Sequence, residues 1–188
     1  MIDVRQKWNR KYREGGFPTE PSRLVADFSA LATGYRALDV AAGSGRHSLW
    51  LAERGFRVDA VDISETGLRM MGDGQGRIQR ICADLDDYTI RPASYDLIVN
   101  VRFLDRRMFP DLREGLRPGG VLIFESFLEG PEGSAGGKFR REFLLRPNEL
   151  LHAFLPLRVI HYGEREEESD GGSPSRTASL VGIRKPLL

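Results

Sequence analysis

The stretch Ala37-Leu-Asp-Val-Ala-Ala-Gly-Ser-Gly45 begins as a buried strand and ends in a turn of small residues. Its first half is a nearly continuous apolar run, which is typical of a strand covered on both faces. The following segment places Leu49, Leu51 and Ala52 on the apolar side of a short helix that Gly55 can end. A strand, a Gly-x-Gly turn and a helix N-terminus together point backbone amides at a ligand. The stretch therefore predicts a cofactor loop.

The residues around the glycines narrow the choice of cofactor, because Gly-x-Gly alone is a weak signal. A phosphate-binding P-loop requires Lys and Ser or Thr after its last glycine, whereas Arg46 and His47 follow Gly45 here. A dinucleotide fingerprint requires a third Gly or Ala at the position that Ser48 occupies. That fingerprint also has no use for Asp39 inside the strand. The pattern excludes the P-loop and disfavours a nicotinamide dinucleotide.

A strand acid followed by Ala-x-Gly-x-Gly resembles the first motif of the class I S-adenosylmethionine-dependent methyltransferases. Asp39, Ala41, Gly43 and Gly45 match that motif position by position. The resemblance implies that these residues hold the amino-acid portion of S-adenosyl-L-methionine. Two alternatives stay open beside a methyltransferase: an NAD-linked oxidoreductase, and a non-catalytic module that binds S-adenosylmethionine or RNA.

Acids also follow the next two predicted strands. Asp62, followed by Ile63, lies roughly 20 residues past the glycines, a spacing that suits a carboxylate bound to both ribose hydroxyls. The resemblance implies that Asp84 binds the adenine amino group and that the backbone amide of Leu85 reaches a ring nitrogen. The acids at 84–87 lack the spacing of a calcium loop, so we expect no metal.

The fourth predicted strand, 95–101, ends at the edge where open α/β sheets bind ligands, so Asn100 is expected beside the sulfonium. Arg102 is the candidate for steering an anionic acceptor. In the N-terminal helix, Trp8 and Tyr12 share one face and are expected to close over the methyl group. Arg102 and Tyr12 are thus the candidate catalytic residues.

The N-terminal segment and the order of elements extend the resemblance to nearly the whole chain. Trp-x-x-x-Tyr followed by Gly-Gly-Phe-Pro resembles the leader of small tellurite-resistance-type methyltransferases. We therefore expect one domain over 1–188, with a lid helix and hinge at 1–20 and a core at 21–188. The implied fold is a single Rossmann-like α/β domain with a seven-stranded, mostly parallel sheet, helices on both faces and an antiparallel last strand. The predicted helices are 3–14, 20–31, 103–116 and 148–154, with a short helix after Gly45 that Gly55 can end and another that Ser64 can cap and that contains Met70 and Met71. The predicted strands are 37–41, 56–61, 78–83, 95–101, 121–127, 157–166 and 177–185.

Composition limits the possible partners. A net charge of +1 over 188 residues gives no broad electrostatic footprint for nucleic acid, and no signal peptide or membrane span is visible. The single cysteine, Cys82, excludes an internal disulfide and reads as a small buried thiol. We expect a cytoplasmic enzyme that acts on a small-molecule acceptor; the pattern does not indicate an oligomeric state. The His-Arg pair of the tellurite enzymes is missing near the last hairpin, where Glu166 to Glu168 stand, which disfavours tellurite as the substrate.

Overall fold

A seven-stranded sheet with the order β3-β2-β1-β4-β5-β7-β6 forms the centre of the molecule. The computed structural model describes residues 3–130, 140–167 and 175–186. Neighbouring strands from β3 to β5 pair in parallel, and β7 pairs antiparallel with both β5 and β6. The strands are β1 Arg36–Val40, β2 Arg57–Asp62, β3 Ile78–Cys82, β4 Tyr95–Val101, β5 Leu116–Phe127, β6 Arg158–Glu167 and β7 Ser175–Ile183. The predicted seven-stranded sheet and its antiparallel last strand are confirmed.

Alternating side chains of the central strands supply two hydrophobic clusters, one on each face of the sheet. In β4, Ile98 belongs to one cluster, while Leu97 and Val99 belong to the other. Helices and short 3-10 turns cover both clusters, so the strands are buried on both sides, as their continuous apolar sequences predict. The α-helices are α1 Val4–Glu14, α2 Arg23–Phe28, α3 Arg46–Glu53, α4 Glu65–Met70, α5 Phe109–Gly115 and α6 Glu149–Ala153.

Two predicted helices are shorter than the sequence pattern suggested. Helix α2 starts at Arg23 and not at residue 20, because the Ser22 hydroxyl accepts a hydrogen bond from the Val25 amide at 3.4 Å and caps the helix there. The segment 103–116 contains a 3-10 turn followed by α5. Pro110 explains the break, since it lacks an amide hydrogen and is tolerated in the first turn of α5 but not in a helix interior.

Strand β5 is longer than predicted. The predicted turn at 116–120 belongs to the strand, and the pairing with β4 shifts register between Tyr95 and Leu97. Gly119 has a φ of 81°, so the chain bulges there without leaving the sheet. The stretch 129–138 is rich in glycine, which predicts a loop. It lies almost entirely outside the described residues, which resume at 140.

Candidate functional site

A cleft of about 1280 Å³ opens at the carboxyl edge of the parallel strands. The loops after β1, β2 and β3 line one half of it. The end of β4, β5, and the facing surfaces of β6 and β7 line the other half. This is the edge at which ligands bind in open α/β sheets. We refer to these regions as the glycine-loop half and the β4 half.

The loop after β1 takes a tight left-handed path. Ala41, Gly43 and Gly45 all have positive φ, at 54°, 59° and 86°. Gly43 faces the cleft, where a Cβ atom on it would overlap the Tyr12 hydroxyl. A Cβ atom on Gly45 would overlap the Met71 side chain in the core instead. Gly43 therefore leaves room above the loop, whereas Gly45 packs against the protein interior and does not line the cleft.

Asp62 joins the first two loops at the cleft floor. Its Oδ2 accepts a hydrogen bond from the Gly43 amide at 2.8 Å, and its Oδ1 accepts one from the Ser64 amide at 2.7 Å. Burial raises the pKa of this carboxyl, and the two amides oppose that rise. Asp62 lines the cleft, as does Ile63 beside it. The sequence predicted its place at the site but not that its carboxylate also holds the glycine loop.

Asp39 lies beneath the cleft and not in it. It is 1% exposed, and its carboxylate accepts a hydrogen bond from the Ser48 hydroxyl at 2.7 Å. This differs from the expectation that Asp39 faces the cofactor. The alternation of β1 contained the signal: Leu38 and Val40 enter one hydrophobic cluster, so Asp39 points to the opposite face, where helix α3 lies.

His47 is buried beside Asp39 and is neutral. Burial lowers its pKa to about 3, so the 3.9 Å contact between its Nδ1 and the Asp39 carboxylate is not an ion pair. Its Nε2 accepts a hydrogen bond from the Ser22 amide at 3.2 Å. His47 therefore attaches the start of α2 to the glycine loop.

The buried carboxyl of Asp39 gives a pH-dependent stability. Burial raises its pKa to about 7 in the folded state, above the ordinary value of 3.8. A group whose pKa is raised by folding stabilises the protein below its unfolded pKa, and this stability is lost as pH rises through the folded pKa. We expect Asp39→Asn, which keeps an oxygen acceptor for Ser48, to gain stability relative to wild type by up to about 4 kcal/mol between pH 4 and pH 8.

Urea unfolding of both proteins at a series of pH values measures that difference. His47 titrates in the opposite sense, because its lowered pKa costs stability as pH falls below its ordinary value of 6.5. Its contribution is common to both proteins and largely cancels in the comparison. A difference in unfolding free energy that stays constant from pH 4 to pH 8 would show that Asp39 does not titrate in this range.

The loop after β3 adds Asp84 and Leu85 to the glycine-loop half, as predicted. The Oδ1 atom of Asp84 accepts a hydrogen bond from the Asp86 amide at 3.0 Å, which fixes the turn. Cys82, at the end of this edge strand, is exposed, so the expectation of a buried thiol is wrong. The position of β3 at the edge of the sheet explains the difference, because no residue of this strand is fully buried.

Asn100 supports the β4 half from below. It is 2% exposed, and its side-chain amide donates to the Phe103 carbonyl at 2.8 Å. Asn100 does not line the cleft, contrary to its predicted position beside the sulfonium. Its hydrogen bond instead shapes the loop that carries Arg102 into the cleft.

Arg102 lies in the β4 half with a left-handed backbone, φ 64°. Its guanidinium is 3.6 Å from the Glu125 carboxylate and 4.6 Å from the centre of the Phe127 ring. The ion pair and the cation–π contact keep the cationic group at the cleft wall. His161 also lines this half, and its Nε2 is 3.1 Å from the Ser179 hydroxyl.

The N-terminal helix covers the glycine-loop half. Tyr12 is buried, stacks on Phe17 with ring centroids 4.3 Å apart, and lies against Gly43 and Gly67. Burial raises the pKa of its hydroxyl, and the nearby Asp62 and Asp39 raise it further, so Tyr12 stays protonated. The sequence missed Asn9, whose Oδ1 accepts hydrogen bonds from the Ser64 hydroxyl and the Thr66 amide at 2.7 and 3.1 Å.

Two further features of the described residues limit the chemistry. No group of three or more His, Cys, Asp or Glu side chains is arranged to hold a metal ion in that part of the chain. Within the same residues, no helix combines the length and apolarity that a bilayer crossing requires.

Part of this cleft lies in a segment that is similar to known proteins. Residues 37–120 match the family described as a methyltransferase domain. The demethylmenaquinone methyltransferase of Clavibacter sepedonicus is 33% identical over 118 residues, which are 57% of this chain and 48% of that protein. The chain thus spans about half the length of the curated relative that it matches.

Solved structures share the fold at lower sequence identity. TehB from Haemophilus influenzae superposes with a TM-score of 0.74 at 19% identity, over 96% of this chain and 67% of TehB. An S-adenosylmethionine-dependent methyltransferase from Methanosarcina mazei superposes with a TM-score of 0.68 at 16% identity, over 89% of this chain and 100% of that protein. At these identities the likeness establishes the fold and leaves the acceptor open.

Proposed function

We propose that the chain carries a class I S-adenosylmethionine-dependent methyltransferase domain and that it transfers the cofactor's methyl group to a small-molecule acceptor. The observation that carries this proposal is the continuity of the cleft. The glycine-loop half, with Gly43, Asp62 and Asp84, opens directly into the β4 half, with Arg102. A cofactor and an acceptor bound in the two halves would meet near the end of β4.

The glycine-loop half fits S-adenosyl-L-methionine chemically. Gly43 exposes bare backbone at the cleft, with the Tyr12 hydroxyl lying over it. Each oxygen of Asp62 accepts one backbone amide in the hydrogen bonds described above, which leaves acceptor capacity for ribose hydroxyls. Asp84 and Leu85 line the position expected for the adenine. These residues would hold the nucleoside while the glycine loop holds the amino-acid end.

The proposed mechanism is an in-line displacement in which the chain's residues mainly position the reactants. The bound cofactor supplies a methyl group on a positively charged sulfur. Tyr12 and Phe17 cover the glycine-loop half and exclude water from it. Arg102 orients an anionic or polar acceptor from the opposite wall. Holding two reactants in the correct geometry contributes on the order of 7–11 kcal/mol to such a step. His47 serves no base role, because its lowered pKa makes it a weak base and its Nε2 already accepts a hydrogen bond.

Cofactor binding provides the first test. We expect adenosylhomocysteine at about 100 times its dissociation constant to stabilise the fold by about 2.7 kcal/mol, which raises the melting temperature by roughly 5 to 10 °C. Asp84→Asn should reduce this shift, because it removes the charge from an acceptor of the adenine amino group. Asp87→Asn, an exposed neighbour in the same turn that does not line the cleft, is the matched control. Differential scanning calorimetry measures all three proteins.

The acceptor class is tested separately, with labelled cofactor and a panel of small molecules and RNA. A melting shift with NADH but none with adenosylhomocysteine would refute the methyltransferase assignment. Methyl transfer to RNA, with binding that weakens steeply as salt rises, would refute a small-molecule acceptor.

A further inference from the structure

Asp39, the acid that the sequence pattern suggested for the amino-acid end of the cofactor, lies beneath the cleft and cannot pair with the ammonium group there. That end carries a carboxylate as well as an ammonium group. A carboxylate is held best by a guanidinium, which can donate two parallel hydrogen bonds to it. The charged residues on the glycine-loop side include one such group: Arg46, which directly follows Gly45 and lines the cleft.

Arg46 is half-buried at this position, and its partner within the protein is a weak one. Its Nη1 donates to the Glu20 carbonyl at 3.4 Å, a long hydrogen bond. None of the ion pairs within 4.0 Å among the described residues involves Arg46. Burial lowers the pKa of Arg46 and the nearby Arg102 lowers it further, while Asp39, Glu125 and Tyr12 oppose that fall. A partly desolvated cation beside a second cation favours an anionic ligand.

The position of Arg46 distinguishes the cofactor's carboxylate from an anionic acceptor. Arg46 acts electrostatically on Tyr12, which lies directly above Gly43 in the glycine loop. Arg102 projects from the end of β4, on the opposite wall, and is paired with Glu125. Both arginines line the cleft and Arg102 acts electrostatically on Arg46, but Arg46 begins helix α3 directly after the glycine loop, which puts it on the side of the amino-acid end.

Resting on the proposed function, we infer that Arg46 binds the carboxylate of the cofactor's amino-acid end. Arg46 is then a determinant of binding for the amino-acid end and has no part in holding the nucleoside. Two ligands that differ in this portion separate those roles. Adenosylhomocysteine carries the amino-acid end, whereas 5′-methylthioadenosine retains the nucleoside and sulfur and lacks it.

Isothermal titration of both ligands against Arg46→Gln tests the inference without any turnover. Loss of a charge-assisted hydrogen bond of about 1.5–3 kcal/mol corresponds to roughly 10-fold to 150-fold weaker binding of adenosylhomocysteine. Binding of 5′-methylthioadenosine should change by less than about twofold. Arg46→Lys should retain part of the affinity, because it keeps the charge and loses the bidentate geometry. Arg54→Gln, at the far end of the same helix and outside the cleft, is the control.

Three results would overturn the inference. Equal losses for both ligands would show that Arg46 supports the shape of the pocket, and an unchanged adenosylhomocysteine affinity would place the carboxylate elsewhere. If wild-type protein binds neither nucleoside, the proposed function fails and the inference fails with it. Thermal melts of each variant without ligand separate these outcomes from a loss of folding.

Discussion

Gly43→Ala should weaken adenosylhomocysteine binding by about a hundredfold, equivalent to about 2.7 kcal/mol, and should also destabilise the fold. The added Cβ would overlap the Tyr12 hydroxyl and push aside the aromatic side chain that covers the glycine-loop half. The φ of 59° adds a backbone cost of about 1–2 kcal/mol for any residue other than glycine. Titration calorimetry and urea unfolding measure the two effects. Gly76→Ala is the control, because Gly76 has φ 75° and no atom within 4 Å of its added Cβ.

A double variant separates the collision from the backbone cost. In Gly43→Ala combined with Tyr12→Phe, the hydroxyl is gone and the nearest ring carbon lies 3.0 Å from the added Cβ, a contact that a small shift relieves. We expect the pair to recover part of the lost stability, so the two changes should be non-additive. Strict additivity would mean that Tyr12 does not rest on Gly43 in solution, and it would contradict the docked position of α1.

The central strands and the cofactor loop were predictable because several local signals agree there. Strand β4 has the predicted bounds, since its apolar run is long, buried on both faces and free of competing turn residues. Asp62 was found because the end of a parallel strand fixes where its side chain lies. Asp39 and Asn100 were misplaced for a different reason. An Asp or Asn side chain can either bind a ligand or form a hydrogen bond within the protein, and the sequence does not distinguish the two. Here the hydrogen-bond partners Ser48 and the Phe103 carbonyl show that both side chains bond within the protein.

Contacts between segments distant in sequence could not be predicted from local patterns. Asn9 caps α4 across more than 50 residues, and no periodicity links the two. In the sequence, Arg46 argues only against a P-loop. Whether its side chain can bind a ligand depends on the charged groups that the fold brings near it. The described structure places Asp39 below the cleft and Arg46 at the cleft wall. This arrangement is the basis of the proposed role of Arg46 toward the carboxylate of the amino-acid end.

The N-terminal segment combines one anchored helix with a free connection to the core. Tyr12 and Asn9 fix α1 on the glycine loop and on α4, while most other residues of the segment are exposed. Gly15 and Gly16, at φ 79° and 83°, have no atoms within 4 Å of their potential Cβ positions, and glycine allows a wider range of backbone angles than other residues. A helix that is held at two points and joined to the core through two glycines is suited to open and close as a lid.

Removing residues 1–20 should therefore leave a folded domain that binds adenosylhomocysteine but transfers methyl groups at least about tenfold more slowly. Asp62 and Asp84, the proposed nucleoside contacts, lie in the remaining core, which keeps both hydrophobic clusters. The truncation removes Tyr12 and Phe17 and lets water reach the reacting methyl group. Full-length protein with Asn9→Ala is the milder companion, since it breaks the anchor on α4 and retains the aromatic cover. Trypsin should cleave the free full-length protein quickly at Arg10, Lys11 or Arg13 and more slowly once adenosylhomocysteine is bound. If the truncated protein loses its cooperative melt, α1 belongs to the core, because a lid contributes little to the free energy of unfolding of the domain that it covers.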